Sequence, residues 1–583
     1  MTRWLGVAVA LIVAVAGAAG ATPAASPTPV PEAVVVPSGS GLSSPASAEL
    51  KALVASGKLA DLGYPDFSDN QSPVASFYQA GAYGPAWTAA GVPTSQALAL
   101  IKLFESAATK GLNPADYDGP RWDARLKALN ASKPAPADAV ARFDLAMTIC
   151  AMRYIAHLHN GRLNPAHYEF SYDQGQEKLD LAQFLRERVI IAPSINDVIA
   201  EAEPPFMGYA RAEAALAAYV ELAGEGDGPP LAMPAKSIRP GDSYAKLAAL
   251  GARLRQLGDW PANEPAAADS GKYDGVTVEA VKHFQIRHGL APDGVLGKGT
   301  IDAINVPLSH RAEQLELTLE RYRWIPPKFP QPPIVVNIPE FRLRTMRAQS
   351  AGFLSMEVVV GKAYQSETPV FAGEMQYVIF RPYWNVPLSI QMRELVPKIR
   401  KDPGYLAANN YEVVDGSEQV ITDGTISEDV LSQLRAGELF IRQKPGPKNA
   451  LGLVKFIFPN SYNVYLHSTP SPELFGRARR DFSHGCIRVQ DPEALAVWVL
   501  RDKPGWDAAK VHAAMYGSDT VQVNLDHPIP VLILYSTAVV EPDGETRFFG
   551  DIYGNDAKLE KALAEGFPYK TAVQLNTVAG SGD

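Results

Sequence analysis

The spacing of apolar residues changes along the chain, and each change predicts a different kind of structure. From residue 48 to about 239, apolar side chains recur at three- and four-residue steps, which predicts packed amphipathic helices. Residues 240–306 carry shorter helical stripes between glycine-containing turns. From about residue 331 the period becomes two, which is typical of strands. We therefore predict an α+β multidomain protein with a helical scaffold domain, a small three-helix module and a mostly β domain.

The segment 307–330 contains one further helix, which ends before Pro326-Pro327. Its apolar residues follow a 4-3-4-3 spacing and are Leu308, Ala312, Leu315, Leu319 and Tyr322. Such a helix can pack back on the scaffold helices of residues 48–239. Residues 240–306 would then be an insertion, and we expect that unit to have its own apolar core.

The mostly β domain is predicted to span residues 331–560, followed by a C-terminal tail at 561–583. Alternating apolar positions predict strands at 334–338, 341–346, 356–360, 375–380, 455–458, 463–467 and 531–535, with one helix at 492–500. The strand pattern is interrupted between the turn at 383–387 and Leu451. Helical segments at 390–400 and 427–434 and a loop at 442–449 fill this gap, and we predict that residues 388–450 form a lid.

Charge and length indicate which partners and how many domains to expect. The 583 residues include 54 Lys and Arg against 63 Asp and Glu, giving a net charge of −9 without a basic tract. Nucleic acid is therefore not an expected partner. The length exceeds that of a single core and fits several domains.

The N-terminus resembles an export signal. Arg3 precedes an apolar stretch, and Ala19-Gly20-Ala21 offers small residues for cleavage, so we predict a signal peptide at 1–21 and a periplasmic protein. The alternative is an uncleaved anchor that would keep the protein next to the membrane. Residues 22–47 are rich in Pro, Ala and Ser and are predicted to be a flexible linker.

The strongest chemical signal surrounds one of the two cysteines, in Ser483-His484-Gly485-Cys486-Ile487-Arg488. Thiolates are the reactive form of cysteine, and nearby positive charge lowers the pKa of a thiol, so we expect His484 and Arg488 to promote ionisation. His467, from a neighbouring strand, is the candidate base. The amides of Gly485 and Cys486 are candidate oxyanion donors.

Other nucleophile and ligand candidates have structural interpretations. Cys150 lies on an apolar helical stretch, where a buried and inert thiol is expected rather than a disulfide with Cys486. His157 and His159 lack a third ligand nearby in sequence and are expected to have structural roles at a helix end rather than to bind a metal.

The spacing from His467 to Ser483 and the sequence from Ser483 to Arg488 closely resemble the active-site signature of the L,D-transpeptidases of bacterial cell walls. The resemblance to the catalytic domain covers residues 331–560, and the resemblance of the domain arrangement covers nearly the whole mature chain and is weakest before residue 70. The unit at 240–306 looks like the small peptidoglycan-binding module of wall enzymes, and the whole arrangement looks like the large periplasmic branch of the family in diderm bacteria.

The resemblance implies a cysteine acyltransferase without metal or cofactor. Cys486 would attack a tetrapeptide donor stem at its third residue, release the terminal D-Ala and pass the acyl group to a diaminopimelate amine, forming a 3→3 crosslink. It also implies that a carbapenem acylates Cys486. Ser483 and His484 would shape the turn and hold the donor, with a direct proton role as the alternative for His484. Arg488 would bind a stem carboxylate or fix the loop. Tyr383 and Trp384 would line the donor groove or form aromatic core.

Three alternatives remain open on the sequence alone. A zinc hydrolase would use His467, His484 and Cys486 as ligands. A wall-binding protein would carry an inactive site. A thiol hydrolase or transferase of the same fold would act on a linkage between a lipoprotein and the wall. The sequence gives no indication of the oligomeric state.

Overall fold

The computed structural model describes residues 44–168, 170–171, 179–267, 271–346 and 352–569. The predicted signal at 1–21 lies outside this range, as do most of the predicted linker and residues 570–583 of the predicted tail. The linker prediction is wrong at its end, because residues 45–47 already belong to helix α1. In the part of the chain that is described, no helix has the length and hydropathy needed to cross a bilayer.

The first region is helical, as predicted, with short strands between the helices. Its elements are α1 (Pro45–Ser56), α2 (Gln71–Ala80), β1 (Thr88–Ala89), β2 (Val92–Pro93), α3 (Ser95–Glu105), α4 (Trp122–Leu129), α5 (Ala137–Asn160), β3 (Phe170–Ser171), α6 (Leu181–Phe184), α7 (Ile195–Ala200) and α8 (Met207–Glu225). Helix α5 runs through the core and is buried on most of its surface. It ends at Gly161, whose φ of +80° and contact with Glu320 and Trp324 leave no room for a Cβ atom.

The next region has the predicted helices α9 (Leu247–Gln256), α10 (Gly275–Arg287) and α11 (Lys298–Ile304), followed by α12 (Leu308–Tyr322). Helix α12 packs against α8 of the helical region. The expectation of a separate module core is wrong. One apolar cluster joins Leu250 and Phe284 of the module to Leu315 of α12 and to Phe548 near the C-terminus. The module is therefore part of a shared core.

The β region begins with β4 (Ile334–Asn337), β5 (Arg342–Thr345), β6 (Ser355–Gly361) and β7 (Val370–Phe380). Residues 388–450 and their flanks then form a subdomain with its own apolar cluster, which includes Leu395, Leu431 and Ile441. Its elements are β8 (Trp384–Asn385), α13 (Leu388–Ile390), α14 (Val396–Lys401), α15 (Tyr405–Ala408), β9 (Tyr411–Val414), β10 (Val420–Thr422), α16 (Glu428–Ala436) and β11 (Phe440–Gln443).

This insertion contains more regular structure than the sequence pattern predicted. Its four strands pair in the order β10-β9-β11-β8. The predicted turn at 383–387 therefore contains an edge strand, and the predicted loop at 442–449 begins inside β11. These strands are only two to four residues long, so a period of two is hardly visible in them.

The chain then returns to the main sheet and ends in a helix. The remaining elements are β12 (Val454–Ile457), β13 (Leu466–His467), β14 (Asp481–Ser483), β15 (Ile487–Val489), α17 (Pro492–Val499), α18 (Ala508–Tyr516), β16 (Val521–Leu534), β17 (Ala538–Val540), β18 (Thr546–Phe548) and α19 (Asn555–Ala564). The main sheet has the order β12-β13-β15-β6-β5-β4-β16-β7-β3, with β14 beside β6. Since β12 also pairs with β7, the path closes on itself.

Several contacts join the β region to the helical region, among them those of β3 and of the residues that follow α19. Strand β3 pairs in parallel with β7, so the helical region contributes a strand to the main sheet. The predicted tail is wrong over 561–569, because α19 continues to Ala564 and the next residues pack on the helical region. The ring centroid of Phe567 lies 4.9 Å from that of Tyr64, and the Tyr569 hydroxyl donates to Asp116 over 2.5 Å.

Candidate active site

Three neighbouring strands of the main sheet place basic side chains side by side, close to the nucleophile. Lys455 of β12 pairs in register with His467 of β13, and His467 pairs with Arg488 of β15. Alternate residues of a strand share a face, so Tyr465 shares the face of His467 and Cys486 shares that of Arg488. The opposite side belongs to the apolar core, where Val454, Phe456, Ile487 and Val489 are buried.

His467 is buried and held by the backbone. Its Nδ1 donates to the carbonyl of Ser468 over 2.5 Å, which places the imidazole proton on that nitrogen. Burial lowers the pKa of His467 to about 3, and the charges of Arg488 and Lys455 act in the same direction. The imidazole is therefore neutral at physiological pH and able to accept a proton.

The thiol of Cys486 differs from its predicted state. Burial raises its pKa, and this effect outweighs the hydrogen bonds with Tyr465 and the charges of Lys455 and Arg488, all of which lower it. The Sγ atom lies 3.7 Å from the carbonyl oxygen of Asn463. In the described residues no hydrogen bond joins Sγ to His467. The resting site therefore holds a neutral thiol, and the expectation of an ionised one is wrong.

His484 also lies elsewhere than predicted. Its Nε2 is 2.7 Å from Oε1 of Glu394, which belongs to the insertion, and its side chain is 55% exposed. The cations that lower the pKa of the thiol are Lys455 and Arg488. The expected electrostatic effect of Arg488 is thus present, whereas His484 connects the nucleophile's loop to the insertion.

Ser483 and Gly485 shape the turn that carries the nucleophile. Ser483 Oγ donates to the carbonyl of Cys486 over 2.5 Å and accepts the N–H of Gly485 over 3.2 Å. Gly485 has a φ of +111°, and its carbonyl accepts from Thr368 Oγ1 over 2.8 Å. Because the Gly485 N–H already has an acceptor, the Cys486 N–H is the better of the two predicted oxyanion donors.

Arg488 and Lys455 flank His467 as partly buried cations. The Nε atom of Arg488 is buried without a hydrogen-bond partner among the described residues. Burial lowers the pKa of Arg488, and Cys486 and Glu473 raise it. The Nζ atom of Lys455 lies 4.2 Å from the ring centroid of Tyr465; burial lowers the pKa of this lysine and Cys486 raises it. Both cations thus favour negative charge near the sulfur.

The predicted aromatic pair divides between two environments. Trp384 hydrogen-bonds with the side chain of Tyr465, which in turn hydrogen-bonds with Cys486. Tyr383 instead lies under the guanidinium of Arg442 in the insertion, 4.3 Å from its Cζ atom. Trp384 therefore reaches the site, and Tyr383 lines the insertion.

Tyr465, Lys455 and Glu394 were not among the site residues predicted from the sequence. Tyr465 stands two residues before His467, and the period of two could have placed it on the same face. The position of Lys455 depends on the register between β12 and β13, which cannot be read from the sequence. The contact of Glu394 depends on where the insertion lies relative to the loop of Cys486, which is a tertiary property.

The remaining ligand candidates are dispersed. Cys150 is buried and free, and burial raises the pKa of its thiol. His157 Nδ1 lies 2.8 Å from the hydroxyl of Tyr117, whereas His159 Nδ1 lies 3.0 Å from the carbonyl of Ala202. Among the described residues, the metal-ligand geometry occurs at His310, Glu313 and Glu560, and not at Cys486.

Comparisons with known proteins agree with this geometry. Residues 72–216 match the family described as "Scaffold domain", 243–304 the family described as "Putative peptidoglycan binding domain", and 332–523 the family described as "L,D-transpeptidase catalytic domain". A Haemophilus influenzae protein named "Putative L,D-transpeptidase" is 31% identical over 278 residues. That alignment covers 47% of this chain and 55% of the relative, so the chain spans about half of the relative's length.

A solved structure of an L,D-transpeptidase, residues 123–326, from Xylanimonas cellulosilytica is also similar. The match covers 52% of this chain and all of that one, at 14% identity and a TM-score of 0.16, which is too low to support a structural argument. The domain matches and the strand-borne cysteine and histidine lead to one conclusion. The chain contains an L,D-transpeptidase catalytic domain, preceded by a scaffold domain and a peptidoglycan binding domain.

Proposed function

We propose that this protein is a cysteine L,D-transpeptidase that forms 3→3 crosslinks in peptidoglycan through a thioester on Cys486. The observation that supports the proposal is that paired strands of a matching catalytic domain carry a neutral, backbone-oriented His467 and, at the start of the next strand, Cys486. The donor is a tetrapeptide stem, and the acceptor is the side-chain amine of diaminopimelate on a second stem.

The charge states of the site define the order of proton transfers. Sγ attacks the carbonyl carbon of the third stem residue while the imidazole of His467 accepts the thiol proton. The imidazolium then gives this proton to the nitrogen of the terminal D-Ala as the carbon–nitrogen bond breaks. Because the thiol loses its proton as the carbon–sulfur bond forms, no free thiolate has to accumulate in a site where burial raises the pKa of the thiol.

The acyl-enzyme is resolved by the incoming amine. The neutral His467 takes a proton from that amine as the amine nitrogen attacks the thioester. The imidazolium then returns this proton to Sγ as the carbon–sulfur bond breaks, so Cys486 leaves as the thiol. The N–H of Cys486 serves as the oxyanion donor, since the N–H of Gly485 is bonded to Ser483. Trp384 at the base of the insertion lines the donor groove through its contact with Tyr465.

The proposed setting is the periplasm, where peptidoglycan is accessible. The peptidoglycan binding domain supports a wall location, and the arrangement of the three domains is consistent with the large periplasmic branch of the family. We further propose that the predicted export signal at residues 1–21 is cleaved.

A thiol hydrolase of the same fold would form the same thioester and then admit water or another acceptor. The test is product analysis by mass spectrometry after incubation of the purified chain with a defined tetrapeptide donor and an acceptor stem. A crosslinked dimer with release of one D-Ala supports the proposal. Tripeptide alone, with D-Ala released and no dimer, would instead identify a hydrolase.

A further inference from the structure

Lys455 has no role in the mechanism described above, although it faces the nucleophile. It lies on the exposed face of β12, in register with His467, while its strand neighbours Val454 and Phe456 enter the core. Its ammonium rests over the ring of Tyr465 rather than beside an acid. A partly buried lysine without an acidic partner, as Lys455 is among the described residues, is costly unless it binds an anion.

Arg488 occupies the matching position on the other side of His467. The two strands that carry these cations flank β13, so their Cα atoms are about 10 Å apart, or two strand spacings. Long side chains on one face can converge over the residue between them. The Nε of Arg488 is buried and lacks a hydrogen-bond partner among the described residues, so hydrogen bonds within this part of the chain do not fully satisfy the guanidinium.

The scissile bond of the donor lies one residue from a free carboxylate. When Sγ of Cys486 attacks the third residue, the carboxylate of the leaving residue lies one Cα atom beyond the nitrogen that departs. It must therefore be held close to the sulfur, where Lys455 and Arg488 both act on Cys486. Arginine is well suited to a carboxylate by its planar fork, and lysine by its compact charge.

We infer that Lys455 and Arg488 form a carboxylate subsite that binds the terminal carboxylate of the donor's leaving residue. The inference rests on the proposed function and adds which donor stems the site accepts. A stem with a further residue, or with an amide at its end, lacks a carboxylate at this point and is rejected. The subsite thereby selects stems in which the free terminal carboxylate lies one residue beyond the scissile bond.

The first test does not depend on the natural reaction. Iodoacetate and iodoacetamide both alkylate the thiolate of Cys486, but only iodoacetate is charged. The ratio of their rates therefore does not depend on how much of Cys486 is ionised. We expect Lys455→Met to lower the iodoacetate to iodoacetamide ratio about fivefold or more, since one close charge is removed. Lys455→Arg retains the charge and should keep the ratio. Lys510→Met removes a cation over Trp506 away from the site and is the matched control.

The second test uses the donor itself. The rate of acyl-enzyme formation is compared for a tetrapeptide with a free terminal carboxylate and for its terminal amide. The wild type should prefer the acid, and Lys455→Met should lose that preference by slowing the acid alone. An equal loss for both donors, or an unchanged alkylation ratio, would overturn the subsite. The same comparison is made with a donor whose third residue carries an amide in place of its side-chain carboxylate. If Lys455→Met abolishes only the preference for a free carboxylate at the third residue, the cations bind that carboxylate and the proposed subsite is wrong. If neither donor acylates the wild type while the alkylation ratio responds to Lys455→Met, the anion site stands and the proposed function fails.

Discussion

Nε2 of His484 lies 2.7 Å from Oε1 of Glu394, so the histidine next to the nucleophile's glycine contacts the insertion and not the sulfur. Glu394 is in the first helical segment of the insertion, and its neighbour Leu395 belongs to the insertion's own apolar cluster. This ion-pair geometry therefore connects a compact subdomain to the loop of Cys486. A subdomain with its own core and few contacts of this kind can move as a unit.

We predict that this contact restrains the insertion. In Glu394→Ala, hydrogen exchange should become faster across residues 388–401, because the link to His484 is lost. Glu428→Ala, on an exposed helix start of the same insertion, should leave that exchange unchanged. Acylation of Cys486 by a substrate-like ligand should slow exchange across 388–450 in the wild type. If acylation changes only residues 467–489, the insertion is a fixed wall and not a lid.

The neutral resting site predicts a particular pH profile. Burial raises the pKa of Cys486, so the rate of alkylation by iodoacetamide should keep increasing beyond about pH 8.5, the usual thiol pKa. A thiolate paired with an imidazolium would instead give a plateau between the pKa of the thiol and that of His467. Rates measured from pH 5 to pH 10 distinguish the two, and a plateau at low pH would contradict the proposed proton path.

Tyr465 is predicted to support the thiolate through its hydrogen bond to Cys486. Tyr465→Phe removes that bond and should lower the rate of alkylation at pH 7 by about tenfold, since hydrogen bonds to charged groups contribute about 1.5–3 kcal/mol. The exposed Tyr516 offers a matched control in Tyr516→Phe. Equal rates for wild type and Tyr465→Phe would mean that the phenol only packs against Lys455.

The fold was predictable where the pattern is long and regular. The 24 residues of α5 and the 11 residues of β7 each present a clear period, although β7 extends five residues before its predicted start. Strands of two or three residues, such as β8 and β15, depend on neighbours that are distant in sequence. The register of Lys455 with His467 has the same origin, since pairing across strands is a tertiary property.

Candidate residues for the site could be chosen from the sequence, but their electrostatic environment could not. Cys486 and His467 follow from residue types and spacing, whereas the state of the thiol depends on burial, which the sequence does not report directly. The electrostatic role expected for His484 failed because the sequence did not show that Glu394 lies beside it. Side-chain direction within a tight turn is set by the phi angle of Gly485 and by the bonds of Ser483.

The shared core changes what deletion of the peptidoglycan binding domain should do. Removal of residues 240–306 uncovers Leu315 of α12 and Phe548 of β18, which are buried against that domain. We predict a clear fall in the unfolding temperature, because loss of large apolar contacts typically costs about 2–5 kcal/mol for each fully buried side chain. Thermal unfolding monitored by circular dichroism tests this. An unchanged midpoint would show that the domain is an independent unit after all.

The most direct test of the proposed reaction is the intact mass of the protein after exposure to a tetrapeptide donor without acceptor. We predict a covalent adduct equal to the donor acyl group after loss of D-Ala, located on Cys486, with one D-Ala released for each adduct. Cys486→Ala should remain folded and form no adduct, because alanine lacks the nucleophile but fits the turn. An adduct of the same mass on Cys486→Ala, or release of D-Ala by that variant at the wild-type rate, would contradict the account.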